Sequence, residues 1–153
     1  MNIRVVACDD IDVLMLWRME VLRVVFALSV SYDLSAIETM NRRYYEKHLS
    51  TGSHMAFLAL VNDSPVGCGG ICFYDELPSP DNPDGHCAYL MNIYVRSRYR
   101  RRGIGRCIVR RLTEEATTRG ISKIYLETSV AGRRLYSEMG FENMNDMMKF
   151  EKI

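Results

Sequence analysis

"AYLMNIYVRSRYRRRGIG", residues 88–105, decides how the chain is read. An apolar, strand-like run ends at Val95. Five arginines follow, Arg96, Arg98 and Arg100 to Arg102, and then two glycines, Gly103 and Gly105. Downstream, Ile104, Ile108, Leu112 and Ala116 recur at helical spacing, which predicts a helix from about 103 to 119 closed by Gly120. A helix start offers unpaired N–H groups and the positive end of the helix dipole. Glycines there let a phosphate reach the backbone, and arginines add forked donors that match phosphate. By physical design the loop is a pyrophosphate cradle, although the same residues also suit a solvated basic turn. Nucleic acid, a nucleotide phosphate and a coenzyme pyrophosphate are the three candidate anions.

The rest of the chain narrows that choice. Its 153 residues fit one domain spanning 1–153. Net charge is only +1, so the basic run is a local feature, and no nucleic-acid partner is expected. No apolar stretch is long enough for a membrane span, and "MNIRVVACDD" lacks a signal peptide's apolar centre. The five cysteines form no C-x-x-C pair, so they read as reduced, small core residues. No metal site and no membrane partner are expected, and the compartment is read as cytoplasmic.

Outward from the loop, the chain reads as alternating strands and helices. "NIRVVAC" (2–8) is a first strand. Leu14, Trp17, Val21, Val24, Val25 and Leu28 mark an amphipathic helix over 10–28, capped by Asp9 or Asp10. "SAIE" (35–38) has a capping-box pattern and opens a helix to about Leu49. "HMAFLALV" (54–61) and "VGCGGICFY" (66–74) are strands joined by "NDSP". Gly67, Gly69 and Gly70 point to a bulge or a close approach. A Pro- and Asp-rich loop (75–85) precedes the central strand at 86–95. "SKIYLETS" (122–129) is a strand, "GRRLYSEM" (132–139) a short helix, and "MMKFEKI" (147–153) a closing strand. The order gives an α/β fold with a mixed sheet.

A P-loop needs Lys followed by Ser or Thr after its second glycine, and no such pair is present. A Rossmann turn needs a third glycine where Ile108 stands. What remains is Arg100-x-x-Gly103-x-Gly105. This pattern resembles the acyl-CoA-binding motif of the GNAT acetyltransferases. "ISKIYLETS" resembles their fifth strand, and "GRRLYSEMGF" (132–141) their fourth helix with its L-Y-x-x-x-G-F signature. The strand and helix order matches over nearly the whole chain.

The resemblance implies a mixed, mostly antiparallel sheet with splayed fourth and fifth strands and helices on both faces. It implies acetyl-CoA as cosubstrate, without a metal. Backbone groups of Ile93, Tyr94 and Val95 would pair with the pantetheine arm. Arg100, Arg101, Arg102, Gly103, Ile104, Gly105 and Arg106 would hold the pyrophosphate, with an arginine side chain reaching the 3′-phosphate. Ser129 and Gly132 occupy positions where the family often has Asn and Ala. Tyr136 would be the general acid, against its alternative as a core tyrosine. The base is left open among Glu127, Asp75, Glu76, His86 and water.

The expected reaction is direct attack of a primary amine on the thioester in a ternary complex. The acceptor would be a small molecule; the alternatives are a protein amine or a non-catalytic acyl-CoA-binding module. Asp75, Glu76, Asp81 and Asp84 would attract a cationic amine if they are more than turn residues. Arg42, Arg43, Tyr44, Tyr45 and His48 could meet a substrate carboxylate. A homodimer is compatible with the sequence.

Overall fold

The computed structural model describes residues 1–152. Strands β1 (Ile3–Cys8), β2 (His54–Val61), β3 (Ser64–Asp75) and β4 (His86–Val95) pair antiparallel in chain order. Strand β5 (Lys123–Leu126) completes a five-stranded sheet by pairing parallel to β4. The parallel pair requires a crossover, which helix α3 (Ile104–Thr118) supplies. Helices α1 (Ile11–Val25) and α2 (Ser35–Thr51) follow β1, and α4 (Arg133–Glu138) follows β5.

Helices cover both faces because the strands alternate. On β2, Phe57 and Ala59 join Ile104, Ile108, Val109 and Leu112 of α3 in the main core. Leu58 instead meets Trp17 and Val21 of α1, and Ala56 meets Leu14, Met15 and Tyr45. Gly69 is where the sheet and α3 touch most closely: a Cβ there would lie 2.5 Å from Ile108 Cγ2. The strand glycines thus mark a close approach.

A bulge does occur, but the extra residue is on β4. Cys68 pairs with Tyr94 while Gly70 pairs with Met91, two steps against three. Asn92 takes up the difference at φ 55, a conformation that Asn tolerates better than most residues. The bulge reverses the strand's alternation. Ala88 and Leu90 face α3, and beyond the bulge so do Ile93 and Val95, while Tyr94 turns to α1.

Several element ends differ from the sequence reading. Helix α1 stops at Val25, three residues early. Ala27 enters the left-handed region at φ 50, and the Leu28 N–H closes back on the Arg23 carbonyl at 2.9 Å. The capping box does not form: Leu34 holds the cap position, and the Asp33 carboxylate accepts the Ser35 N–H at 2.9 Å. The 62–65 hairpin is a two-residue turn, with Asn62 and Asp63 both at positive φ. Strand β5 covers only 123–126 of the expected 122–129.

The expected closing strand is absent over 147–152, and Ile153 lies outside the described residues. Met148 is 98% and Phe150 91% exposed. A strand needs a paired edge, and a cleft of about 970 Å³ stands between the outer edge of β5 and Met144–Met147. None of residues 93–106 lines that cleft.

Candidate active site

The site is built where β4 and β5 part. Their pairing runs from Cys87–Lys123 to Leu90–Leu126 and ends there, while β4 continues to Val95. The Arg96 N–H donates to Val66 in β3 at 3.0 Å, so by alternation the backbone groups of Val95 point into the gap. Ile93 shares that parity. Tyr94 does not: its carbonyl turns to β3, 2.6 Å from where a Gly67 Cβ would sit, and its hydroxyl donates to Glu20 at 3.2 Å. Tyr94 is therefore removed from the expected backbone donors and acceptors of the gap. The Val95 carbonyl also accepts from Arg100 Nε at 2.8 Å.

The gap leads straight to the start of α3. Ser97–Tyr99 forms a 3₁₀ turn, Arg101 adopts φ 63, and Gly103 adopts φ 81. The first α-helical closure of α3 is the Cys107 N–H to the Gly103 carbonyl at 3.1 Å. The amides of Ile104, Gly105 and Arg106 precede it and have no helical acceptor. A Cβ on Gly103 would meet nothing within 4 Å, so the approach to these amides is open. Gly105 has a different reason to be glycine: its Cβ would lie 3.3 Å from Leu135, where α4 packs against α3.

The arginines divide into committed and uncommitted groups. Arg96 forks onto Glu20 at 2.8 and 2.9 Å and lies 4.4 Å above the Trp17 ring. That hydrogen-bonded guanidinium holds the Glu20 carboxyl below its ordinary range. Arg106 pairs with Glu138 at 2.7 Å. Arg100 folds back on Val95. Among the described residues, Arg101 and Arg102 have no carboxylate partner. Arg102 leans 5.8 Å from the Tyr99 ring centroid.

Tyr136 stands on α4 against the α3-side core, its ring edge-on to Phe141 at 5.8 Å. Burial raises its pKa, so the hydroxyl keeps its proton at neutral pH. Gly132 abuts it, since a Cβ there would lie 3.2 Å from the Tyr136 ring and 2.4 Å from Thr128 Oγ1. Ser129 accepts the Gly132 N–H at 3.1 Å and opens the turn before α4.

The acidic loop is occupied with itself. Asp75 meets His86 at 2.6 Å, Glu76 holds Lys123 at 2.7 and 2.9 Å, Asp81 accepts from Ser79, and Asp84 accepts the His86 N–H. His86 is raised and Glu76 lowered by these hydrogen bonds. Arg42 pairs with Asp12 at 2.9 Å. Tyr44 hydrogen-bonds His54 at 2.9 Å, and His48 hydrogen-bonds Ser53 at 2.6 Å.

One part of the site went unread in the sequence. Arg18 of α1 donates to Asn41 of α2 at 3.0 Å and to Asn92 at the bulge at 2.9 Å. Its signal is positional: Arg18 falls four residues after Leu14 and four before Leu22, inside the buried stripe of α1.

No group of three or more His, Cys, Asp or Glu side chains that could hold a metal ion occurs among the described residues. No helix among them is long and apolar enough to cross a membrane.

A splayed parallel pair that opens onto a bare helix start defines an acyl-CoA-binding acyltransferase architecture. The model of the acetyltransferase (GNAT) family matches residues 22–141. A predicted acetyltransferase from Clostridium acetobutylicum, crystallised with acetyl-CoA, is 27% identical over 98% of this chain and 95% of its own, with TM-score 0.83. A GCN5-related N-acetyltransferase from Ralstonia eutropha is 25% identical over 98% and 97%, with TM-score 0.79. The fold is also that of glucosamine-6-phosphate N-acetyltransferase from Arabidopsis thaliana, at 18% identity over 99% of both chains and TM-score 0.71. No curated protein matches the chain. The chain belongs to the GNAT acetyltransferase family, and with that membership it is an acyl-CoA-dependent N-acetyltransferase with acetyl-CoA as cosubstrate.

Proposed function

We propose that the whole chain is one catalytic domain that transfers an acetyl group from acetyl-CoA to a primary amine of a small molecule, in a ternary complex. The observation that carries this reading is the continuity of the β4–β5 gap with the unpaired amides of Ile104, Gly105 and Arg106. The amides and the positive end of α3 hold the pyrophosphate without side-chain rearrangement. Arg101 and Arg102 supply charge for the 3′-phosphate. Ile93 and Val95 offer backbone groups along the gap.

In the transfer an N–C bond forms as the C–S bond breaks, and one proton leaves nitrogen while one reaches sulfur. Tyr136 is the proton donor to sulfur in this reading, supported by a hydroxyl that keeps its proton at neutral pH and has no protein partner among the described residues. Asp75 and His86 hold each other and Glu76 holds Lys123, so Glu127 or water carries the amine's proton away. The protein works in the cytoplasm without nucleic-acid or membrane partners, a reading supported by a net charge of only +1. Release of free thiol from acetyl-CoA, dependent on an added amine and matched by N-acetyl product, tests the proposal. An acetyl-CoA complex that turns over no amine would favour a binding module instead.

A further inference from the structure

Arg18 is a partly buried guanidinium without an anion. Its Nε and one Nη1 hydrogen go to the amide oxygens of Asn41 and Asn92, which are neutral. The other three of its five N–H donors have no protein acceptor among the described residues. No carboxylate there lies within ion-pair distance, and Glu20, two residues on, is taken by Arg96.

The surrounding groups do not supply charge either. Burial pushes Tyr44 and Tyr45 up to about 12 and Cys68 up to about 12. It pushes His54 down to about 4, with His48 and Arg18 adding to the effect. All four are neutral near pH 7. A charge partly withdrawn from water and facing only neutral partners favours an opposite charge at its open donors.

The guanidinium is also held in place. Asn41 donates through Nδ2 to the Ile37 carbonyl at 2.8 Å, which fixes its oxygen toward Arg18. Asn92 is fixed by the bulge. It stands two residues past Leu90, where β4 and β5 part. Arg18 thus reaches the mouth of the gap from the α1/α2 face, while the cradle and Tyr136 belong to the α3 side. An acceptor bound at the mouth on the α1/α2 side would lie beside Arg18.

We propose that Arg18 determines acceptor specificity, and that the acceptor is an amine carrying an anionic oxygen group, a carboxylate or a phosphate, bound by the open edge of its guanidinium. This rests on the acetyl-transfer reading above. It also reverses the charge expected from the 75–85 loop, where Asp75 meets His86 and Glu76 meets Lys123, whereas Arg18 meets no anion. A forked guanidinium binds either anion through two parallel hydrogen bonds.

The test uses the full chain with acetyl-CoA and matched pairs: ornithine with putrescine, phenylalanine with 2-phenylethylamine, and phosphoethanolamine with ethanolamine. At least one carboxylate- or phosphate-bearing member should be acetylated with kcat/KM about 30-fold or more above its mate that lacks the anionic group. Which pair responds separates carboxylate from phosphate. Arg18→Met should bring the ratio within that pair close to one, chiefly through acceptor KM, and Arg18→Lys should keep part of it. The KM for acetyl-CoA reports whether either variant has disturbed the fold.

Amines without the anionic group turned over as well as their mates would overturn the proposal, as would a ratio that survives Arg18→Met. If acetyl-CoA binds but no amine in the set reacts, thermal shift of the CoA complex decides. Stabilisation by an anionic member and not by its mate supports the proposal, and no such difference overturns it. Failure to bind acetyl-CoA at all would instead overturn the acetyl-transfer reading.

Discussion

His54 makes the folded protein sensitive to mild acid. Its side chain is 3% exposed, held between Tyr44 and Gly70, and its pKa is lowered to about 4. The unfolded chain binds the same proton near 6.5. Below that value the unfolded state holds the proton and the folded state does not, so stability is lost as pH falls from about 6.5 to about 4. At pH 4.5 the two affinities differ in effect by about 2 to 3 kcal/mol relative to pH 7. Unfolding midpoints should fall by roughly 5–10 °C from this group alone.

Other groups titrate in the same region. His86 is raised by Asp75 and acts in the opposite direction, while Glu20, Glu76 and Glu138 lose stabilising partners at lower pH. The comparison is therefore between wild type and His54→Gln, by urea unfolding at several pH values from 4.5 to 7. Glutamine cannot take up the proton but can still hydrogen-bond Tyr44. The variant should start less stable and lose about 2 kcal/mol less across the range. Parallel stability curves for the two proteins would refute the argument.

Tyr136→Phe should lower kcat by roughly 10- to 1,000-fold with little change in acetyl-CoA affinity, read from steady-state kinetics and calorimetry. Gly69→Ala should destabilise the protein by about 1–3 kcal/mol in denaturant unfolding, because its Cβ would meet Ile108 at 2.5 Å. Arg101→Gln with Arg102→Gln should weaken acetyl-CoA binding about tenfold or more and dephospho-CoA binding much less; equal losses would mean that the 3′-phosphate is not their partner.

The strand end and helix start behind the proposed cradle were legible because they are local. A strand end, an arginine run and two glycines before a helical period all lie within 88–116, and each is a sequence-range signal. The Asn92 bulge was not, because it exists only in the register of two strands separated by the 75–85 loop. That bulge turned Tyr94 to the other face, and pattern reading of β4 kept it in the gap. Arg18 went unread inside the apolar stripe of α1. Its meaning depends on Asn41 and Asn92, which only the fold brings to it. The acids of 75–85 looked available in sequence, yet folding closes each on a near neighbour or on Lys123. The tail at 147–152 has strand-like composition, but composition does not supply a partner edge.

Calorimetric titration with acetyl-CoA, comparing wild type, Gly103→Ala and Gly103→Asp, tests the central claim most directly. All three proteins of the comparison share the open space around position 103, where a Cβ meets nothing within 4 Å. Alanine carries the strain of φ 81 without charge, about 1–2 kcal/mol. Aspartate carries similar strain and places a carboxylate at the bare amides of α3. If the pyrophosphate binds there, wild type binds acetyl-CoA, and Gly103→Asp binds about tenfold or more weakly than Gly103→Ala. Equal affinities for the two folded variants would contradict it.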